Sequence, residues 1–419
     1  MGPDLKATSS RSAEMLARAR RVVPNGVFGH RRSFAFAAGV ARAIPEDYPH
    51  FVAGAEGCRF TDVDGSSYID YLCGYGPMIV GYGNERVEQA AAAEREKALC
   101  YNFTSEIYVA LAERLVATVH GADWAAFALN GSDALTLALV VARAATGRST
   151  VVVAEGAFHG NLTWASAGPG WDAADRSRTR TVTWGDADEL CHVLAAEPVA
   201  AVVLCPYEQL VGADNRLPPA GYWSAVRRHC DAAGTVLVVD DVRSGFRLHA
   251  GGSCASFGIE PDLVCLSKAM ANGYPAAAVV GRDRLRDAAE VVFVSGTFWG
   301  YPPALAAALE TVAVLGDPVV DACAHMAAMG RRLTTGLRDV ADALGVGVVV
   351  SGPDAMPLVR FDGDDDFSLA CRFTAALAAR GSFVHPTHNW FLSLAHAPDD
   401  VDTTLEHSAS ALAAAVSPR

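Results

Sequence analysis

Five runs of β-branched and aliphatic residues, at 150–154, 201–205, 235–239, 263–266 and 277–280, are apolar at odd and even positions alike. A half-exposed strand would alternate, so each run is expected to be a central strand covered on both faces. From about residue 105, stretches with apolar residues at helical spacing, beginning with 108–120 and 133–145, alternate with these runs. Strands separated by helices imply right-handed crossovers and an α/β fold with a mostly parallel sheet. Upstream, Ser9 and Ser10 offer caps for a helix that Pro24-Asn25-Gly26 ends, and Asp64-Gly65 marks a hairpin turn. Downstream of 312 the pattern predicts helix, strands at 346–350 and 358–361, a helix, a strand at 391–394 and a closing helix at 400–415. The expected organisation is an N-terminal arm with part of a small domain (1–59), a large domain (60–311) and a small α+β domain (312–419).

Composition narrows the class of protein. A chain of 419 residues suits two or three units, and 51% hydrophobic with 19% charged residues suits a buried core rather than disorder. Lys plus Arg is 34 and Asp plus Glu 47, a balance of 34 − 47 = −13. That argues against nucleic acid or an anionic membrane surface as partner, since both demand a basic footprint. The ten cysteines are scattered without a CxxC pair, which points to reduced thiols. No apolar signal region or membrane-length run is visible, so a cytoplasmic location is expected.

Candidate chemistry lies just past the strand ends, where open parallel sheets bind ligands. Asp240 and Asp241 follow one strand, Ser267-Lys268 another and Gly156-Ala157-Phe158-His159-Gly160 a third. Asn130-Gly131-Ser132 stands before a helix, where N–H groups, a hydroxyl and the dipole suit a phosphate. A partly desolvated lysine can lose its proton and attack a carbonyl, and a buried carboxylate can keep a pyridine nitrogen protonated. Phosphate, aldehyde, pyridinium and ring face together describe pyridoxal 5'-phosphate. Taken singly, the same residues read as a helix cap, a solvated lysine and a core phenylalanine.

The ordered set resembles the class III pyridoxal-phosphate aminotransferases of fold type I, in particular the glutamate-1-semialdehyde aminomutase-like branch. The likeness rests on Arg20-Arg21-Val22-Val23-Pro24-Asn25-Gly26-Val27, Asp62-Val63-Asp64-Gly65, Gly74-Tyr75-Gly76-Pro77-Met78, Asn130-Gly131-Ser132-Asp133, Phe158-His159-Gly160, Asp240 to Arg247, Leu266-Ser267-Lys268 and Gly296-Thr297. The resemblance implies that Lys268 carries the cofactor as a Schiff base and shuttles a proton. It implies that Asp240 binds the pyridine nitrogen, that Val242 and Phe158 sandwich the ring with His159 beside them, and that Asn130, Gly131 and Ser132 hold the phosphate. Thr297 would reach the phosphate in the opposite subunit, so a homodimer with shared active sites is expected. Arg32 is either a substrate-carboxylate arginine or a surface ion-pair residue.

Departures from the branch bear on the substrate. Asp241 replaces a common Glu, Arg243 stands where a neutral side chain is usual, and Cys205-Pro206 stands at a Glu-Pro position. The segment from His385 to Phe391 has no carboxylate where the aminomutase carries a glutamate gate. His385 and His388 are expected at a strand edge or in the substrate pocket rather than on a metal, and no metal site is expected. Tyr75, Trp299, Tyr301 and Trp390 either line an aromatic pocket or belong to the core. The leading expectation is a ping-pong aminotransferase moving nitrogen from an amino donor to a keto or aldehyde acceptor, in specialised metabolism. The alternatives are an aminomutase or racemase, a decarboxylase on the same scaffold, and a non-catalytic cofactor-binding protein.

Overall fold

The computed structural model describes residues 10–27, 32–35, 40–43, 48–168 and 170–417. Helix α1 (Arg11–Val22) starts at Ser10, whose hydroxyl accepts the Ala13 N–H at 3.2 Å. Its first N–H groups donate to Asp64, which pins the helix to the hairpin turn. Strands β1 (Arg32–Ala35) and β2 (Val40–Ala43) form a separate antiparallel ribbon. Next come β3 (Val52–Glu56), β4 (Arg59–Asp62) and β5 (Ser67–Asp70), an antiparallel set. Helices α2 (Glu85–Lys97) and α3 (Glu106–Thr118) lead into the main sheet.

That sheet has seven strands: β6 (Trp124–Ala128), β7 (Thr150–Ala154), β8 (Thr179–Val182), β9 (Val199–Leu204), β10 (Val236–Asp240), β11 (Leu263–Leu266) and β12 (Ala277–Gly281). Their order is β6-β12-β11-β10-β9-β7-β8. Strands β11, β10, β9, β7 and β8 run parallel, and β12 is antiparallel to both neighbours. Strand β6 therefore points the same way as β11. All five runs predicted as strands are present and buried on both faces, as their unbroken apolar pattern requires. One face packs on α4 (Gly131–Thr146), through Ala134, Leu135, Ala138, Val141 and Ala142. The other face packs on α3, on α5 (Ala187–Ala196), α6 (Tyr222–Ala233) and, after the short α7 (Ser253–Phe257) and α8 (Arg286–Val291), on α9 (Pro302–Leu315).

Helix α10 (Ala322–Ala343) leads to the hairpin β13 (Val348–Ser351) and β14 (Leu358–Phe361), then α11 (Ser368–Ala378), β15 (Ser382–Phe383) and α12 (Pro398–Val416). Strand β15 pairs in parallel with β5, which closes a sheet of order β15-β5-β4-β3 from both ends of the chain. The expected boundary at 59/60 thus falls inside β4. The strand expected at 391–394 is not one. Residues 391–393 are buried and Leu394, half-buried, already lies in a turn; Phe391, Leu392 and Leu394 donate their N–H groups to Tyr71, Ala355 and Ile79, three separate partners rather than one ladder. An apolar run enclosed on all sides reads like a central strand whichever way its backbone bonds are met. Among the described residues no helix is long and apolar enough to cross a membrane.

Candidate functional site

Because β6, β7, β9, β10 and β11 run in one direction, their carboxyl ends share an edge, and the motif residues follow those ends. Asp240 closes β10 and is buried. Its Oδ2 lies 2.7 Å from His159 Nδ1, and its Oδ1 accepts the Val242 N–H at 3.2 Å. A carboxylate has about four lone-pair sites, so acceptor capacity is left over. If His159 donates from Nδ1, its Nε2 is an acceptor, and this buried atom has no partner.

The turn after β6 caps α4. Asn130 accepts the Asp133 N–H at 3.1 Å, which leaves the N–H groups of Gly131 and Ser132 at the helix start. The Ser132 hydroxyl accepts the Asn161 N–H at 3.1 Å and so joins this turn to the loop after β7. Contact there is tight. A Cβ on Gly160 would stand 2.3 Å from Ser132 Oγ, and one on Gly131 would stand 2.9 Å from Val242. Phe158 presents a half-exposed ring beside these residues.

Lys268 follows β11 and begins a short 3-10 turn with φ of +45°. Burial first and the Arg243 cation second bring its ammonium down to about 7, against the opposing pull of Asp240. A neutral amine is therefore accessible near neutrality. Asp241 has a different task. It is pushed up to about 6 by burial and accepts from Ser253 N–H and Ser244 Oγ, so it braces the turn after β10.

A third wall comes from the C-terminal segment. The His388 ring meets Tyr75 edge-on at 5.3 Å and lies 5.6 Å from Phe391. Burial, with Arg243, His385 and Lys268 adding to it, holds His388 well below its ordinary value, and burial takes His385 to about 4. Tyr75 has φ of +65° and also faces His385 at 6.0 Å. Arg243 is buried and donates to Asn389 Oδ1 at 3.4 Å.

The remaining expected residues fall elsewhere. Trp299 packs on the α4-side core with Val242, and no ring contact joins it to Tyr75 among the described residues. Trp390 is core, its indole N–H donating to the His385 carbonyl, and Tyr301 packs against the other core face, so the four aromatics do not form one wall. Thr297 is exposed, and its carbonyl takes a long contact of 3.8 Å from Cys100 Sγ. Arg32 opens β1, paired with Ala43, and its side chain lies outside the described residues.

Three site features were not assigned from sequence. Asn389 holds Arg243, Trp164 stacks on His159 at 6.4 Å, and Cys205 at the end of β9 brings its sulfur within 4.8 Å of the His159 and Asp240 ligand atoms. Burial holds that thiol well above its ordinary value, hence protonated, so the three atoms read as a buried wall rather than a prepared metal centre. For a pyridoxal-phosphate-like ligand the groups present do fit. They are a glycine-lined helix start, spare carboxylate capacity, an exposed ring and an amine that deprotonates easily.

Comparison with known proteins agrees. A family profile described as Aminotransferase class-III matches residues 43–173 and 186–398. The chain is 40% identical to the aminopentol aminotransferase of Sphingopyxis macrogoltabida, over 97% of this chain and 95% of that one. It is 32% identical to the 3-aminobutyryl-CoA aminotransferase of Cloacimonas acidaminovorans (strain Evry), over 97% and 98%. Glutamate-1-semialdehyde 2,1-aminomutases match as well, that of Methanothermobacter thermautotrophicus with 31% identity over 94% and 97%. Among solved structures, the pyridoxal-phosphate internal aldimine form of FumI from Sphingopyxis sp. MTA144 superposes with a TM-score of 0.91, at 40% identity over 96% of each chain.

Proposed function

The chain belongs to the class-III aminotransferases, pyridoxal-phosphate enzymes of fold type I, and from that premise we propose a role for each group at the sheet edge. It is a pyridoxal-phosphate-dependent aminotransferase. When bound, pyridoxal phosphate supplies an electrophilic carbonyl and an electron sink, which let nitrogen leave a donor and join an acceptor in separate half-reactions.

Lys268 Nζ is the nucleophile, and it takes the proton from the donor's Cα and later returns one. Asp240 holds the protonated pyridine nitrogen with its free lone pairs, and His159 fixes that carboxylate in place. Gly131 and Ser132 hold the phosphate at the start of α4, where Asn130 sets the turn. Phe158 and Val242 cover the ring faces, and Tyr75 and His388 border the substrate side, with Trp299 behind Val242. The observation that carries this reading is the convergence of the easily deprotonated Lys268 with the His159–Asp240 pair at one edge of the sheet. An aminomutase is supported less, since the relative at 40% identity is an aminotransferase and the aminomutase shares 31%.

Assembly as a homodimer that completes its sites with Thr297 of the opposite chain is part of the proposal. It is supported by Phe103 at 88% and Phe293 at 93% exposure, near Leu99, Tyr101 and Phe298 on segments joined through Cys100 and Thr297. A small unit made from both chain ends is supported by the β5–β15 pairing, and a large cofactor unit that runs through α9 (Pro302–Leu315), rather than ending at the expected residue 311 within it, is supported by that helix's burial in the main core. Arg32 has no further support. Ten free thiols fit a cytoplasmic setting, and a substrate of specialised metabolism fits the aminopentol enzyme's name.

The holoenzyme should lose its visible absorbance with a matching amino donor and recover it with a keto or aldehyde acceptor. Lys268→Ala should do neither. Full turnover by that variant, or one substrate simply converted to its isomer, would overturn the reading.

A further inference from the structure

We propose that Arg243 is a substrate-binding residue, the anchor for a carboxylate carried by the amino donor or the keto acceptor. The inference rests on the aminotransferase reading of the site and names the class of substrate it takes.

A guanidinium is permanently charged, and burying it is costly unless an anion or several acceptors meet it. Arg243 is 8% exposed, yet among the described residues it has no ion pair and one hydrogen bond, the 3.4 Å contact to Asn389 Oδ1. The nearby carboxylates are committed elsewhere. Asp240 faces His159 and the Val242 N–H and keeps its remaining lone pairs for the pyridine nitrogen, and Asp241 is engaged by Ser244 and Ser253; neither is paired with Arg243. Among the described residues, four of the five guanidinium donors therefore meet no protein acceptor, the pattern expected where a ligand supplies it.

The cation is also held in position. Asn389 donates to Asn215 Oδ1 at 3.1 Å and to the Met356 carbonyl at 3.0 Å, and Asn215 is tied to the Leu210 and Ala213 carbonyls. Three residues past the end of β10 and bonded to Asn389, beside His388, the guanidinium stands between the strand edge and the substrate-side wall, and its charge lowers both Lys268 and His388. Arg247, the other buried cation near Lys268, is spent on the Leu392 and Gly76 carbonyls and the Phe391 ring. With His385 and His388 neutral, Arg243 is, among the described residues of this wall, the permanent charge left to meet an anion, in a chain whose net charge of −13 would otherwise repel one. From sequence alone Arg32 was the candidate for this role, and Arg243 had none.

The test uses holoenzyme and matched donors in which a methyl replaces the carboxylate: alanine with isopropylamine, and 4-aminobutyrate with butylamine. Arg243→Gln should lower kcat/KM about 10–100-fold more for the carboxylate member of whichever pair reacts than for its matched amine, since the change at Lys268 falls on both alike, and should weaken propionate binding in calorimetry to a similar extent. Arg243→Lys should recover part of both, because it keeps the charge without the fork, and it carries the test if the neutral variant does not fold. An equal fall for amines and amino acids, or propionate binding that is absent from the wild type or unchanged in the variant, would overturn the inference. If neither these donors nor any other amine bleaches the wild-type holoenzyme while propionate binding still depends on Arg243, the aminotransferase reading fails and the carboxylate anchor stands.

Discussion

At the scale of single residues, the charge state of Lys268 is the quantity that matters. Its ordinary value is 10.5, and burial with Arg243 brings it to about 7, so the neutral, nucleophilic fraction grows as pH rises through about 7. Uptake of pyridoxal phosphate by the cofactor-free protein should accelerate across that range and level off above it. Arg243 lowers Lys268 and Asp240 raises it, so Arg243→Gln should move the midpoint upward and Asp240→Asn downward. Stopped-flow absorbance at a series of pH values measures this, and a midpoint near the ordinary lysine value would contradict it. Lys268 and Asp240 were legible in the sequence because each follows an unmistakable apolar run. The state of Lys268 was not, because its cause includes a residue on a different strand end.

Among elements, the tightest fit lies where the start of α4 meets the loop after β7. Gly160 has φ of +86°, and a Cβ there would strike Ser132 Oγ. Gly160→Ala should therefore displace the Ser132 hydroxyl, which we propose holds the phosphate, and weaken cofactor affinity about tenfold or more. Gly147, the left-handed cap of α4, has open space around its Cβ position, so Gly147→Ala should cost only about 1 kcal/mol of stability and leave the affinity intact. Cofactor titration and thermal unfolding of the two variants separate the effects, and equal affinity in both would refute the packing argument.

The central strands were readable from sequence because both of their faces are buried. Strand β8 (Thr179–Val182), at the sheet edge, mixes polar and apolar residues, and β6 (Trp124–Ala128) is short and rich in alanine, so neither produced that signal. The run at 391–394 produced it falsely, since burial on all sides does not require a ladder.

For the whole molecule, the exposed Phe103 and Phe293 should be covered by a second copy. Replacing both with Asp should convert a dimer into a monomer in analytical ultracentrifugation, at little cost to folding, because neither ring is buried within the chain. It should also reduce cofactor retention if Thr297 completes the opposite site. A wild-type monomer at micromolar concentration would end that part of the proposal.

The sequence by itself determined which segments become central strands, where their ends stand, and which residue types wait there: the glycine-serine turn, Asp240, Lys268 and the Phe158-His159 pair. These are local properties of periodicity, capping and turn chemistry. Tertiary structure alone decided that β6, β7, β9, β10 and β11 release their motifs at one edge, and that the 385–391 segment folds back over it. It also decided that Arg243 meets Asn389, 146 residues away in the chain, instead of a carboxylate. The physical reason is that charge, burial and hydrogen-bond supply depend on non-local neighbours. The same arginine would be an ordinary surface residue without them.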